Sequence, residues 1–181
     1  MDTIFIPVPI FKINVKEHLH FKNDLLELIQ KENGKPEINL HDRISFTDWN
    51  KDPNRKIDYW DFCQTFLSDY ISEIISKIGS SYSFATNSQI INVWFQQYKN
   101  NDYHGWHIHS RSTWSFVYFV ELPIGAPSTL LKLMDGSQIS TNAAEGDLIA
   151  FPSYIEHCSP PNCCKKTKTV VAFNVLQLQN P

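Results

Sequence analysis

The sequence predicts a mainly β protein, a sandwich or jelly roll, with two helices packed on one outer face. Three observations lead there. After residue 80 the chain runs as about eight short segments rich in β-branched and aromatic residues, punctuated by Gly, Pro and Asn. The strongly helical periodicity is confined to the part before residue 80. The length of 181 residues suits a single domain, with 1–80 an N-terminal strand and helices packing on a core of 81–181.

Taken in order, residues 3–14 alternate and are rich in β-branched and aromatic types, which predicts an extended segment interrupted by Pro7 and Pro9. Residues 17–32 place Leu19, Leu25, Leu26, Leu28 and Ile29 among charges, and Gly34-Lys35-Pro36 stops this first helix. Residues 35–56 are polar and irregular and predict a long loop. Over 58–78, the apolar positions Trp60, Cys63, Phe66, Leu67, Tyr70, Ile71, Ile74, Ile75 and Ile78 keep i, i+3, i+4 spacing. This second helix is expected to end at Gly79. Strands are expected at 88–98, 106–109, 113–122, 129–134, 137–141, 146–152, 154–158 and 168–177.

Composition excludes several function classes. Sixteen basic against nineteen acidic residues give a net charge of −3. No basic field is present to hold nucleic acid through its phosphates. No apolar run reaches a membrane span, and Met1-Asp2-Thr3-Ile4 lacks the basic start of a signal peptide. Cys63, Cys158, Cys163 and Cys164 form no CxxC pair, so reduced thiols in a cytoplasmic protein, of a bacterium or a phage-infected cell, are expected. Aromatic residues make up 13% of the chain, enough for a ring-lined pocket. Oligomeric state leaves no mark in the sequence.

The chemistry-bearing segment is Tyr103-His104-Gly105-Trp106-His107-Ile108-His109, with Glu156-His157 far downstream. On a strand, His107 and His109 share one face. His157, arriving from a distant strand, completes a three-histidine metal face with positions left open, as a catalytic iron requires. His104 stands three before His107, out of phase with that face, and is assigned to a loop or the substrate side. His18, His20 and His41 belong to the helical part and are read as ordinary core or surface histidines.

Further residues extend the pattern. Tyr98 precedes Gly105-Trp106-His107-Ile108-His109, and Ser115-Phe116-Val117-Tyr118-Phe119-Val120 follows. Next come Gly146-Asp147-Leu148-Ile149-Ala150-Phe151-Pro152, His157, and Lys168-Thr169-Val170-Val171-Ala172-Phe173-Asn174. In order and spacing this resembles the iron(II)/2-oxoglutarate-dependent oxygenases, most of all the small prolyl-hydroxylase-like group of bacteria and phages. The opening Ile4-Phe5-Ile6-Pro7 and the Asn92-Val93-Trp94 element fit as well.

The resemblance implies a double-stranded β-helix, a form of jelly roll. It implies iron(II) on His107 and His157, with His109 where most members place a carboxylate; His-x-His does occur in the group. His109 is then either the third ligand, the preferred reading, or a neighbour of the metal. Lys168 matches the basic residue that holds the far carboxylate of 2-oxoglutarate, and Tyr98 the tyrosine that donates to it. Tyr118, Asn174 and Asn92 are further candidates for the co-substrate pocket. Trp94 and Gln96 share the Asn92 and Tyr98 face. Val170 stands where the family often has a serine. Trp106, Arg111 and His104 are substrate-side candidates.

The implied activity consumes O2 and 2-oxoglutarate and hydroxylates a peptide or protein side chain, or a small metabolite. Two alternatives stay open. One is a cupin-like three-histidine dioxygenase that does not use 2-oxoglutarate; the other is a non-catalytic jelly-roll binding protein.

Overall fold

A computed structural model describes residues 7–52, 54–82 and 86–179. The predicted extended segment survives as β1 (Phe11–Asn14); its part before Pro7 lies outside the described residues. Then follow α1 (His18–Lys31), β2 (Lys35–Ile38), β3 (Asp42–Thr47), α2 (Asp58–Tyr82), β4 (Thr86–Tyr98), β5 (Tyr103–His107) and β6 (Trp114–Glu121). The chain closes with β7 (Leu130–Lys132), β8 (Gln138–Ser140), β9 (Asp147–Pro152), β10 (His157–Ser159) and β11 (Lys168–Gln179).

The strands form one curled antiparallel sheet in the order β1-β9-β6-β11-β4-β3-β5-β10-β7-β8, with β2 paired to β3. This is the predicted mainly β jelly roll. Folding the sheet back on itself creates two cores, one on each side of its larger half. On the outer side, α1 and α2 lay Leu25, Ile29, Trp60, Leu67, Ile71 and Ile74 against Phe116, Tyr118, Val171 and Phe173. Each such large apolar side chain contributes about 1.5–3 kcal/mol by burial. On the inner side, Ile44, Tyr98, Phe119, Leu131, Ile149, Phe151 and Val170 pack together. Alternation along β6 and β11 serves both cores at once, which is why these strands read as nearly continuous apolar runs.

The structure corrects three expectations. Residues 35–56 are not a plain loop: β2 and β3 form a hairpin. Its turn is held by Asn39, whose Oδ1 accepts from the backbone N–H groups of His41 (2.7 Å) and Asp42 (2.9 Å). Ile44 is fully buried in the inner core and anchors the hairpin. The rest of the segment is pinned by Asp48, a buried carboxylate that accepts from the Phe95 amide (2.8 Å) and the Tyr59 hydroxyl (2.9 Å) and pairs with Arg55. Second, α2 does not stop at Gly79 but runs on to Tyr82; a glycine inside a helix costs only about 1 kcal/mol, which the packing of Ile71, Ile74 and Ile78 offsets. Third, the expected strand 106–109 lies earlier, at Tyr103–His107, and leaves His109 beyond its end.

No helix among the described residues is long and apolar enough to cross a membrane. His18 is buried, and its Nδ1 lies 2.6 Å from the Tyr118 hydroxyl, as expected of a core histidine.

Candidate metal centre and adjoining pocket

Three histidines converge inside the curled sheet. His107 ends β5 and His157 opens β10, and the two are register partners on neighbouring strands. His109 follows β5, with its backbone N–H donating to the Ser153 carbonyl (3.0 Å). Ring centroids lie 4.2 Å apart for His107 and His157, and 5.1 Å for His109 to either of them. One ligand nitrogen from each falls within 4.8 Å of the other two.

The tautomers of two rings follow from their partners. His107 Nδ1 lies 2.8 Å from the Gly105 carbonyl, and His157 Nδ1 lies 2.9 Å from the Ile155 carbonyl. A carbonyl only accepts, so both Nδ1 atoms carry the proton and both Nε2 lone pairs are free for a metal. Burial keeps the imidazoles neutral: it depresses His107, takes His109 down to about 4, and holds His157 well below the usual range. Neutral imidazole is the form that binds metal. The donor set therefore fits a divalent transition metal with positions left open on one side.

His104 is where sequence phase misleads. It lies on β5, not in a loop, and its ring stacks on His107 with centroids 3.9 Å apart. The cause is a bulge. His157 pairs with His107, but Ser159 pairs with His104, so three steps on β5 match two on β10. The extra residue returns His104 to the His107 face. Gly105 makes the bulge possible: a Cβ there would meet the His41 carbonyl oxygen at 2.5 Å. Its N–H donates to Asp42 Oδ1 (3.1 Å). His104 Nδ1 accepts from Gln96 Nε2 (3.1 Å), and its Nε2 faces Asp42 Oδ1 at 3.5 Å. Burial and the neighbouring His107 push this ring down to about 3.

A narrow cleft runs inward from the histidines between β4 and β11. Cross-strand pairs Ala172–Trp94, Val170–Gln96 and Lys168–Tyr98 form one wall in succession, and Lys168 closes the end. Its side chain is buried, with Nζ donating to the Pro127 carbonyl (2.8 Å) and Ser159 Oγ (2.9 Å). Nζ also lies 5.3 Å from the Tyr98 ring centroid. Among the described residues no carboxylate pairs with it. Desolvation takes the amine down to about 7, and one of its three donors is left for a ligand. Tyr98 is fully buried and its hydroxyl donates to Gln96 Oε1 (2.7 Å), so Tyr98, Gln96 and His104 form a bonded chain from the Lys168 end to the metal-facing rings.

Other candidates lie elsewhere. Tyr118 faces the helices, not the cleft, because β6 turns Ser115, Val117 and Phe119 inward and Phe116, Tyr118 and Val120 toward the outer core. Burial drives its hydroxyl strongly upward. Asn174 and Asn92 pair one step beyond the cleft; Asn174 Oδ1 accepts from Ser115 Oγ (3.0 Å). Trp106 packs under Lys132, whose Nζ lies 5.6 Å from its ring, and Arg111 is exposed in a turn. Neither lines the cleft or its mouth. Sequence reasoning missed Glu37 and Trp49, which reach the mouth from the hairpin and its exit; nothing local in 35–56 marks them.

No family profile matches the chain, and no curated relative does. Solved structures do. A Pseudomonas putida prolyl-4-hydroxylase is 11% identical with a TM-score of 0.66, over 96% of this chain and 94% of its own. A Trichoplax adhaerens prolyl hydroxylase, in complex with a peptide of hypoxia inducible factor, is 13% identical with a TM-score of 0.67, over 92% and 83%. A non-heme α-ketoglutarate-dependent epimerase of nogalamycin biosynthesis is 8% identical with a TM-score of 0.69, over 96% and 81%. The chain thus shares the jelly-roll fold of prolyl hydroxylases and other 2-oxoglutarate-dependent non-heme iron enzymes.

Proposed function

We propose that this protein is an iron(II)- and 2-oxoglutarate-dependent dioxygenase that hydroxylates a peptide or protein side chain, or a small metabolite. The observation that carries the reading is Lys168: a buried amine without a carboxylate partner at the closed end of a cleft whose other end is the three-histidine group. An amine so placed is costly unless an anion meets it. Lys168 would hold the far carboxylate of a dicarboxylate keto acid, and the histidine end of the cleft would receive its keto-acid group.

The neutral histidines His107, His109 and His157 would hold the iron, which supplies the activation of O2 and the oxidative decarboxylation of the co-substrate to succinate and CO2. The chain's own work is positioning. The Gly105 and Ile155 carbonyls fix two ligand tautomers. Tyr98 and Val170 exclude water around the amine, and Ser159 orients it. Lysine anchors the carboxylate by a single charge where arginine would form a fork. Three neutral ligands leave the iron one negative charge short of the usual two-histidine, one-carboxylate set.

Succinate formation that requires both iron(II) and 2-oxoglutarate tests the proposal. Metal binding that persists after His107→Ala with His157→Ala overturns it. A three-histidine dioxygenase without 2-oxoglutarate would be indifferent to Lys168; the buried amine favours the first reading.

A further inference from the structure

The mouth of the site points to the class of substrate, an inference that rests on the oxygenase reading. Beyond the histidines lies a second cavity of about 140 Å³, bounded by Glu37, Trp49, Trp94, Ile108, His104 and His109, among others. Trp49 and Trp94 meet edge to face, with centroids 4.5 Å apart and an interplanar angle of 72°. Both approach His109, at 6.4 and 5.5 Å. Trp94 is buried while Trp49 remains 42% exposed, so one indole forms the wall and the other the rim.

Glu37 is the one side chain of full charge lining this cavity. Among the described residues it has no hydrogen-bond or ion-pair partner. Arg43 pairs with Asp102 (3.3 Å) and Lys99 lies over Phe46. Glu37 is half-buried on β2, and both burial and Asp42 hold its carboxyl above the usual range. An unpaired, partly desolvated carboxylate beside two indole faces is an arrangement complementary to a cation.

We infer that the substrate carries a cationic nitrogen, an amine or guanidinium on an aliphatic stem, received by Glu37 and the faces of Trp49 and Trp94. The stem carbons next to that nitrogen are the ones brought against the three-histidine group. A cavity of this size takes one side chain, and the shared chemistry has two sources: a basic residue within a polypeptide, or a free diamine or basic amino acid.

The test is direct binding, followed by the quenching of tryptophan emission and by calorimetry on the full-length protein. The probes are a blocked pentapeptide with central lysine, its norleucine and glutamate counterparts, free lysine and agmatine. The lysine peptide is expected to bind about tenfold tighter than the norleucine one, the sum of a cation–π contact and a partly screened ion pair. Glu37→Gln should shrink the difference to the part that the indole faces supply. Glu37→Lys should turn the preference toward the glutamate peptide, and thermal melts of both variants show that they fold. Tighter binding of free lysine or agmatine than of the peptide supports the cation and assigns a metabolite source; the reverse assigns a polypeptide. If no cationic probe, peptide or free, binds more tightly than the norleucine peptide, the inference is overturned. Iron-dependent succinate release in the absence of substrate would, even then, leave the oxygenase reading standing.

Discussion

Replacing Lys168 by methionine should make the protein more stable and its co-substrate site useless. The amine is buried, and desolvation lowers its pKa from 10.5 to about 7. At about 1.4 kcal/mol per unit, a shift of that size corresponds to roughly 5 kcal/mol opposing the charged form. The unfolded chain holds the extra proton between pH 7 and 10.5, so stability rises with pH across that window, and the full cost applies below pH 7. Methionine removes this cost and keeps most of the packing against Tyr98 and Phe119. It also strands the Pro127 carbonyl and Ser159 hydroxyl, at about 1–3 kcal/mol between them. The net gain is about 2–4 kcal/mol at pH 6, or a rise of roughly 4–16 °C in Tm, shrinking toward pH 9. Against 2-oxoglutarate the same change leaves a carboxylate unpaired in a buried site. The expected loss is about 3–5 kcal/mol, roughly two to four orders of magnitude in Kd. Differential scanning calorimetry at pH 6 and 9 and titration calorimetry with 2-oxoglutarate read both effects, with Lys166→Met as the exposed control. A variant destabilised at pH 6, or one with unchanged affinity for 2-oxoglutarate, would refute the reasoning.

His107→Ala and His157→Ala should each abolish tight metal binding, measured by equilibrium dialysis. His109→Ala should weaken it, while His109→Asp should retain it; a wild-type affinity for His109→Ala would place His109 outside the ligand set. Acid should unfold the metal-free protein early. His18, His104, His107, His109 and His157 all titrate below 6.5 in the fold. The unfolded chain therefore binds more protons as pH falls below 6.5, and each histidine withdraws up to about 1.4 kcal/mol per pH unit until its folded pKa is passed. A flat urea midpoint between pH 7 and 5 would contradict this. Gly105→Ala should cost roughly 2 kcal/mol or more, because its Cβ meets the backbone carbonyl of His41 and not a movable side chain. It should also weaken metal binding by shifting His107; an undisturbed metal affinity would show that the bulge does not position the site.

Much of this protein was legible along the chain. The alternation of 88–98 set Asn92, Trp94, Gln96 and Tyr98 on one face, and on β11 the same period puts Lys168, Val170 and Ala172 on one face. The sheet sets those two rows opposite each other in register. The close spacing of His107 and His109, with His157 downstream and the family resemblance, nominated the metal group, although His109 lies beyond the end of β5. What failed did so for non-local reasons. His104 stands on β5 and not in a loop: a bulge is defined by its partner strand, and β5 alone carries no sign that Ser159 skips a position. Tyr118 was misassigned because β6 is apolar on both faces, and only the docking of α1, which brings His18 to its hydroxyl, decides which side is outward.

By itself, then, the sequence determined the mainly β jelly roll and nominated three histidines, since strand periodicity and residue chemistry are properties of short segments, while resemblance to a known family pointed to Lys168. Only the tertiary structure decided the rest. Curling the sheet brings β5 beside β10 and leaves Lys168 with no carboxylate partner among the described residues. It also carries Glu37 and Trp49 from an apparently featureless stretch to the mouth of the site. Those relations join residues far apart in the chain, and only the closure of the sheet makes them neighbours.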